Sequence, residues 1–389
     1  MLFRKRLLFT LLYSLIFCLT GCWNNKDITE LNIVVGVGID QAPNNQIELT
    51  VQIVKPATIK ARQQGGMDQV TQTLTARGRT IFEANRNLLT FSSRRLYYGH
   101  IQLIMISEGL ARKGISDILD FFARDHEPDL RTEIIITKGI TASQSLKLNS
   151  SLEDIPVTDL RETLRNTNGL PKIIDIQLVD LLKNIASTGT NSVVAKLEIA
   201  KNKENITTQD LNITGAAVFK KDKLCGWLSP TEARSYIFVQ NKFKNGIIVI
   251  PNPIDKKKPV AIEMTHSHTK KSIQFVNGRP KLIVEVKNEG NIGEQEGKGD
   301  LTSPSIVRKL EQETSLLITK EINHLITKTQ QELKCDIFGF GNLLHQQYPS
   351  YWENVEGNWN EFYSALEFEV KVNQEIRRSG WIREITKPK

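Results

Sequence analysis

Three basic residues, a short apolar run and a small residue in front of a cysteine open this chain. That order constrains everything downstream, because it places the folded body outside the cytoplasm. Arg4, Lys5 and Arg6 precede residues 7–19, a 13-residue apolar stretch interrupted by Thr10, Tyr13 and Ser14, and Leu19-Thr20-Gly21-Cys22 closes it. A bilayer core of about 30 Å takes roughly 20 helical residues, so the stretch reads as a cleaved export signal rather than a permanent span. Residues 1–21 are expected to leave and Cys22 to become the first residue. Gly21, without a side chain, lets a signal peptidase reach the backbone. The Cys22 thiol then carries an S-diacylglyceryl group, and the freed amine carries a palmitate-like acyl chain. One chain holds a protein weakly, at about 0.8 kcal/mol per buried methylene, whereas two or three make the attachment lasting. The alternative is a plain cleaved signal in which Cys22 is incidental.

Removal of 21 residues leaves 368, well beyond one ordinary domain of about 150. Of four cysteines, Cys18 departs with the signal and Cys22 is lipidated, which leaves Cys225 and Cys335. A disulfide framework is excluded; a single bridge between these two stays open, beside the reading of two buried apolar thiols. The signal also removes three of 51 basic residues, so 48 bases face 43 acids and the excess is mild. Local basic clusters are Lys256-Lys257-Lys258 and Lys270-Lys271. On a membrane-bound protein these could attract anionic lipid, and a solvated hairpin rim is the plainer reading. Export argues against nucleic acid as a partner.

The pattern beyond a short polar tether, residues 22–30, is mixed. Residues 33–39 and 47–54 read as a strand pair across Pro43-Asn44-Asn45. Thr80-x-x-Glu83 reads as a capping box for a helix to about Leu89, and helices are expected over 116–123, 158–165 and 176–185, with a further one capped at Thr141. Strands are expected over 100–106, 134–136 and 193–199. These compose an N-terminal α/β domain, 31–199. Residues 200–211 have no apolar period and read as a linker. The remainder, 212–384, reads as an α+β domain. It holds strands over 213–219, 224–227, 247–250, 260–265, 272–276 and 282–286, a helix capped by Ser229-Pro230-Thr231-Glu232, and one long helix from Ser303-Pro304 to about Lys334. The apolar spacing of that helix lays it along an antiparallel sheet. The fold class is therefore mixed α and β, in two to three packed modules.

Chemistry-bearing motifs are sparse. His266 and His268 share one strand face, but a metal site needs further ligands. Gly36-x-Gly38 and Gly339-x-Gly341 lack the third glycine of a dinucleotide turn, and no Gly-x-Ser-x-Gly elbow occurs. Glu367 and Glu369 lie on the outer face of a strand that points Phe368, Val370 and Val372 inward. Trp352, Trp359 and Phe362, with Tyr348 and Tyr351, form the densest aromatic group, which either seals the C-terminal core or anchors a partner. No catalytic residue, metal or cofactor is assigned, apart from the covalent lipid on Cys22.

Gly21-Cys22-Trp23, Leu31, Val35-Gly36-Val37-Gly38-Ile39-Asp40, Gly99-His100, Asp336-Ile337-Phe338-Gly339-Phe340-Gly341, Pro349, Trp352, Trp359, Phe362 and Gly380 occur in that order. Together they resemble the Ger(x)C lipoproteins, the C subunits of spore germinant receptors, over nearly the whole chain. Asn24-Asn25-Lys26 departs from the family's more acidic tether. The resemblance implies two mixed α and β modules and no catalytic activity. It also implies a lipid-anchored protein on the outer leaflet of the spore's inner membrane, acting with integral-membrane A and B subunits in nutrient-triggered germination. The competing classes are a solute-binding lipoprotein of a transporter and a cell-envelope hydrolase. Neither the nutrient, nor any small-molecule binding by this subunit, nor the stoichiometry is readable from the residues.

Overall fold

The computed structural model describes residues 3, 4, 6, 30–55, 70–148, 150, 153–166, 170–200 and 210–378. The described chain builds two sheets. The first is assembled from β1 (Leu31–Gln41), β2 (Ile47–Val54), β3 (Thr71–Gly78), α1 (Ile81–Leu88), β4 (Arg95–Tyr97), β5 (Leu103–Ser107), α2 (Glu108–Lys113), α3 (Ser116–Arg124), β6 (Glu133–Lys138), α4 (Ala142–Lys147), α5 (Pro156–Arg165), α6 (Leu178–Ala186), β7 (Val193–Ile199), β8 (Leu211–Lys220) and β9 (Lys223–Leu228). Its strand order is β3-β2-β1-β5-β6-β7-β8-β9, with β4 paired beside the start of β1. The four central strands β1, β5, β6 and β7 run parallel, and an antiparallel pair extends each side. Parallel strands need helices on both faces. Ile81, Leu88, Phe122 and Leu181 cover one face, and Leu146, Val157, Leu160 and Leu164 cover the other.

The Gly-Val-Gly-Ile-Asp run is explained by this packing rather than by a ligand. Val37 and Ile39 enter the first of those cores. On the opposite face a Cβ on Gly36 would lie 2.9 Å from Leu146 and Val157, and one on Gly38 would lie 3.0 Å from the Ala142 backbone. The helix α4 therefore rests directly on the strand. Asp40 then fixes its first turn, accepting N–H bonds from Ala142 at 2.9 Å and Ser143 at 2.7 Å. Buried Gln52 holds the other end, donating to Leu146 O at 2.8 Å and accepting from Val157 N at 3.2 Å.

Three local expectations shift. The strand β3 was not foreseen, because in Thr-Gln-Thr-Leu-Thr-Ala-Arg-Gly only Leu74 and Ala76 are apolar and buried. Thr80 does cap α1 by accepting from Glu83 N, but Glu83 turns its carboxylate to Arg79 N at 2.7 Å and leaves the box half closed. The strand expected over 100–106 is shorter at its start, beginning at Leu103.

The first sheet also runs on past the expected linker. Ala200 N donates to Asp210 O at 2.7 Å, and β8 pairs antiparallel with β7. The capping box at Ser229 is complete and starts α7 (Pro230–Val239). The second sheet follows as β10 (Gly246–Pro251), β11 (Pro259–Val276) and β12 (Arg279–Gln295). Then come α8 (Pro304–Gln331), α9 (Phe340–Gln347), α10 (Pro349–Val355), α11 (Trp359–Ser364) and finally β13 (Glu367–Arg378).

The two strands expected over 260–265 and 272–276 are one continuous β11, because Thr269 inside the polar stretch is held by Asn241 and by Phe238 O. Asn277 and Gly278, both at positive φ, close the hairpin to β12. The sheet is antiparallel through β10, β11 and β12, while β13 runs parallel to β12, for which α8 to α11 supply the crossover. The 28 residues of α8, about 42 Å at 1.5 Å each, bury Leu310, Ile318, Ile322, Leu325 and Ile326.

The cores of the two halves are continuous. Val193, Ala216, Val218 and Leu228 of the first sheet share one apolar cluster with Ile262, Val284, Ile322 and Phe338.

Substituting Gly38→Ala is expected to cost about 1–3 kcal/mol, since the added methyl meets helix backbone that cannot yield as a side chain can. Chemical denaturation of the variant beside Gly109→Ala, where the nearest foreign atom is 3.6 Å away, checks it.

Candidate functional site: a caged aspartate where the sheets meet

The segment after α8 carries Asp336 into the join between the halves, where it is fully buried. Its Oδ1 accepts N–H bonds from Phe338 at 2.8 Å and Gly339 at 2.9 Å; its Oδ2 accepts from Gly341 N at 2.9 Å and Trp359 Nε1 at 3.2 Å. Gly339 has φ +76, a left-handed turn that brings its N–H round to the carboxylate. The main-chain oxygen of Asp336 faces the other half and accepts from Asn191 N at 2.7 Å. Asn191 also donates through Nδ2 to Asn360 Oδ1 at 3.1 Å and accepts from Lys221 N. Beside this, Gly189 and Gly341 touch backbone to backbone: a Cβ on Gly341 would lie 2.6 Å from Gly189 Cα. Asn342 N donates to Gly189 O at 3.2 Å.

Burial pushes the Asp336 carboxyl up to about 6, against the pull of its N–H partners and of Lys271. It is ionised at neutral pH. Burial pulls the Lys271 ammonium down while the Asp336 charge opposes that shift, and the amine donates to Phe338 O and to Gln240 Oε1 at 3.1 Å. Lys271 is thus part of the join and not of a basic surface. With all four donors already spent on it, the carboxylate has no open side for a substrate, and its work is to fix a loop.

Trp352 and Trp359 are each 2 % exposed and pack with ring centroids 5.2 Å apart. Phe362 is half-buried against Trp359 at 6.0 Å. The group therefore fills the core beneath the Asp336 loop. Above it, Lys220, Lys221, Glu353, Glu356 and Glu361 rim a polar cleft of about 580 Å³ between the halves.

A second polar hollow, of about 710 Å³, lies where β5 and β6 begin. Glu133, 1 % exposed, sits at its base with Arg161 at 3.3 Å and Arg165 beside it. The i, i+4 spacing of those arginines on α5 was the available signal, and nothing in sequence tied them to Glu133.

Gly21 and Cys22, with Trp23 and Gly380, lie outside the described residues. His266 and His268 are exposed on β11, and among the described residues no three His, Cys, Asp or Glu side chains are placed to hold a metal. Glu369 pairs with Lys281 at 2.9 Å and Lys371 at 3.0 Å on the outer side of β13. Cys225 and Cys335 are free thiols that nonetheless meet. Cys225 Sγ donates to Val218 O at 3.3 Å, and the contact between the two thiols lowers the pKa of Cys225 while contact and burial raise that of Cys335.

Comparison with known proteins adds two family matches. The spore germination protein N-terminal domain family matches residues 24–199, and the spore germination B3/GerAC-like C-terminal family matches residues 214–380. This chain belongs to the GerAC-like family of spore germination proteins. It is 29 % identical to spore germination protein KC of Bacillus subtilis (strain 168), covering 97 % of this chain and 96 % of that one. To spore germination protein B3 of the same organism it is 26 % identical, covering 96 % and 98 %. The crystal structure of the GerBC protein aligns with a TM-score of 0.59 at 21 % identity, over 88 % of this chain and 96 % of that chain, and shares the fold.

The motifs that resembled Ger(x)C lipoproteins have structural roles in this GerAC-like chain. Val35 to Asp40 seats α4, Gly99-His100 lines the hollow above Glu133, and Asp336 to Gly341 is the caged loop. Sequence reasoning missed Gly189, Asn191 and Asn342, and read Lys271 only as half of a basic pair, because each reaches its partner only across the fold. The Asn191–Asp336 contact spans 145 positions.

The variant Asp336→Asn is expected to lose about 2–5 kcal/mol, since its amide nitrogen would face N–H donors. The pH dependence has a definite sign. The folded value lies above the unfolded one, so the folded chain takes up a proton as pH falls from about 6 to 4. This group's contribution to stability therefore rises through that window and is flat above it. Denaturation between pH 7 and 4 should show wild type gaining on Asp336→Asn, and parallel curves would contradict it.

Proposed function

We propose that this protein is the lipid-anchored subunit of a spore germinant receptor, held through Cys22 on the extracytoplasmic face of the spore's inner membrane. In this reading it acts with integral-membrane A and B subunits in nutrient-triggered germination and performs no catalysis itself. The observation that carries the reading is the extent of the match: both family models fall in order along the chain, and protein KC is covered almost end to end. Leu19-Thr20-Gly21-Cys22, ahead of the matched region, supports the anchor. Among the described residues no helix is long and apolar enough to cross a membrane, and acyl chains on Cys22 would supply attachment without one.

The site geometry supports an interaction subunit. The most buried ionised acid is locked to backbone N–H groups, and the polar cleft beside it is rimmed by lysines and glutamates. A solute-binding lipoprotein would use two similar lobes, whereas a large mixed sheet is fused here to a four-stranded one.

In a sporulating strain without paralogues, deletion of the gene is expected to leave spore formation and non-nutrient germination intact and to abolish the nutrient response. Complementation by Cys22→Ala is expected to restore about a hundredfold less response or none, because membrane tethering supplies the effective concentration for assembly. Full nutrient germination by the deletion strain would refute the subunit role. Full rescue by Cys22→Ala would refute the anchor.

A further inference from the structure

The corner of the body where β1 begins carries an exposed loop. The short strand β4 runs parallel to the start of β1, with Arg95 beside Leu31 and Leu96 beside Asn32. Asn32 Nδ2 donates to Ser92 Oγ at 2.9 Å. The loop 89–94 therefore stands next to the start of β1. Only residues 23–30 lie between Cys22 and β1. Even fully extended, at about 3.3–3.6 Å per residue, they allow that corner no more than about 30 Å of height.

The loop is apolar at its tip and basic at its sides. Phe91 is 66 % exposed and Leu89 38 % exposed, with Phe82 on the adjoining helix turned outward as well. From Ala84 to Ser107 the chain contains Arg86, Arg94 and Arg95 and no acid. Arg95 is paired with Glu127 of the neighbouring loop, and Arg86 lies over the Phe82 ring at 5.1 Å. Among the described residues Arg94 has no carboxylate partner. The acids near the loop are Glu127, which Arg95 and Tyr98 N occupy, Asp129, which Arg131 occupies, and Glu30 on the tether; the groove beside Phe82 adds Asp117, Asp120, which Arg124 occupies, and Asp125, which accepts from Glu127 N.

The loop's shape is set before any contact. Phe91 N donates to Leu88 O at 3.0 Å, Thr90 Oγ1 to Asn87 O at 2.7 Å and Ser92 Oγ to Arg94 O at 2.6 Å. Presenting Phe91 costs little further ordering.

We propose that loop 89–94 is a second membrane contact, in which Phe91 and Leu89 enter the headgroup layer of an anionic bilayer and Arg94 faces its phosphates. This rests on the lipid-anchored reading. An aromatic side chain at the interface with a cation beside it matches the amphipathic composition of that layer. The contact would hold the body in one orientation on the membrane, with the hollow above Glu133, which opens where β5 and β6 begin, close to the lipid.

The test uses the processed, acylated protein in vesicles of phosphatidylcholine with and without phosphatidylglycerol, read by hydrogen exchange at the amides of 89–95. The expected result is slower exchange there than in the Cys22→Ala chain free in solution, more so with phosphatidylglycerol. Phe91→Ser should keep its melting temperature, since the ring is exposed, and should lose about tenfold in protection. Protein found in the vesicle fraction with 89–95 exchanging as in solution overturns the contact and leaves the anchor standing. Native protein absent from the vesicle fraction overturns the anchor, and this contact with it. Protection that appears only when the A and B subunits are added assigns the loop to a protein surface and also overturns it.

Discussion

An ionised carboxylate taken out of water must be given its hydrogen bonds back by the protein, and the build of this chain turns on how that is done for Asp336. Four N–H groups converge on it, three from its own loop and one from Trp359. That convergence sets the path of the backbone after the long helix and turns the Asp336 carbonyl toward Asn191 of the other half. The Gly189–Gly341 contact then becomes close enough that no side chain fits between. The aromatic core beneath and the polar cleft above both take their positions from this loop. Two sheets with separate topologies thereby share one apolar cluster.

Much of this was legible in the residues. Ser229-Pro230-Thr231-Glu232 named its helix and its cap, residues 33–39 and 47–54 gave the opening strand pair, and the apolar spacing after Ser303 gave α8. Local chemistry determines each of these. What escaped was non-local. The strand β3 looks polar because it lies at the sheet edge, with only Leu74 and Ala76 of its side chains entering a core. The parallel placement of β13 depends on where α8 delivers the chain, and no side-chain period within β13 records that. Asn277-Gly278 closes the hairpin between β11 and β12, whereas the continuity of β11 itself depends on Thr269 being held by Asn241 and Phe238 across the fold.

The candidate site divides the same way. Trp352, Trp359 and Phe362 could be singled out as a group and Asp336–Gly341 as a motif, but their partners Gly189 and Asn191 could not, since nothing around them distinguishes them from surface loop residues, and Lys271 was legible only as half of a basic pair. Cys225 and Cys335 make the same point: a separation of about 110 positions gave no reason to expect contact, and the fold brings the thiols together. The family likeness located the motifs, and the structure explained them as packing devices: glycines for close approach, aspartates for capping and caging. The halves of a body built this way are tied by hydrogen bonds at Asn191 and by one shared core.

If the caged loop welds the halves, they should open together. Native-state hydrogen exchange in rising denaturant, followed at Asn191 and Gly341 in the join, Ile104 in the first sheet and Val284 in the second, measures this directly. The account predicts that all four amides merge into one global opening with a common free energy and denaturant dependence. An opening of the second sheet at lower free energy, with Ile104 still protected, would contradict it.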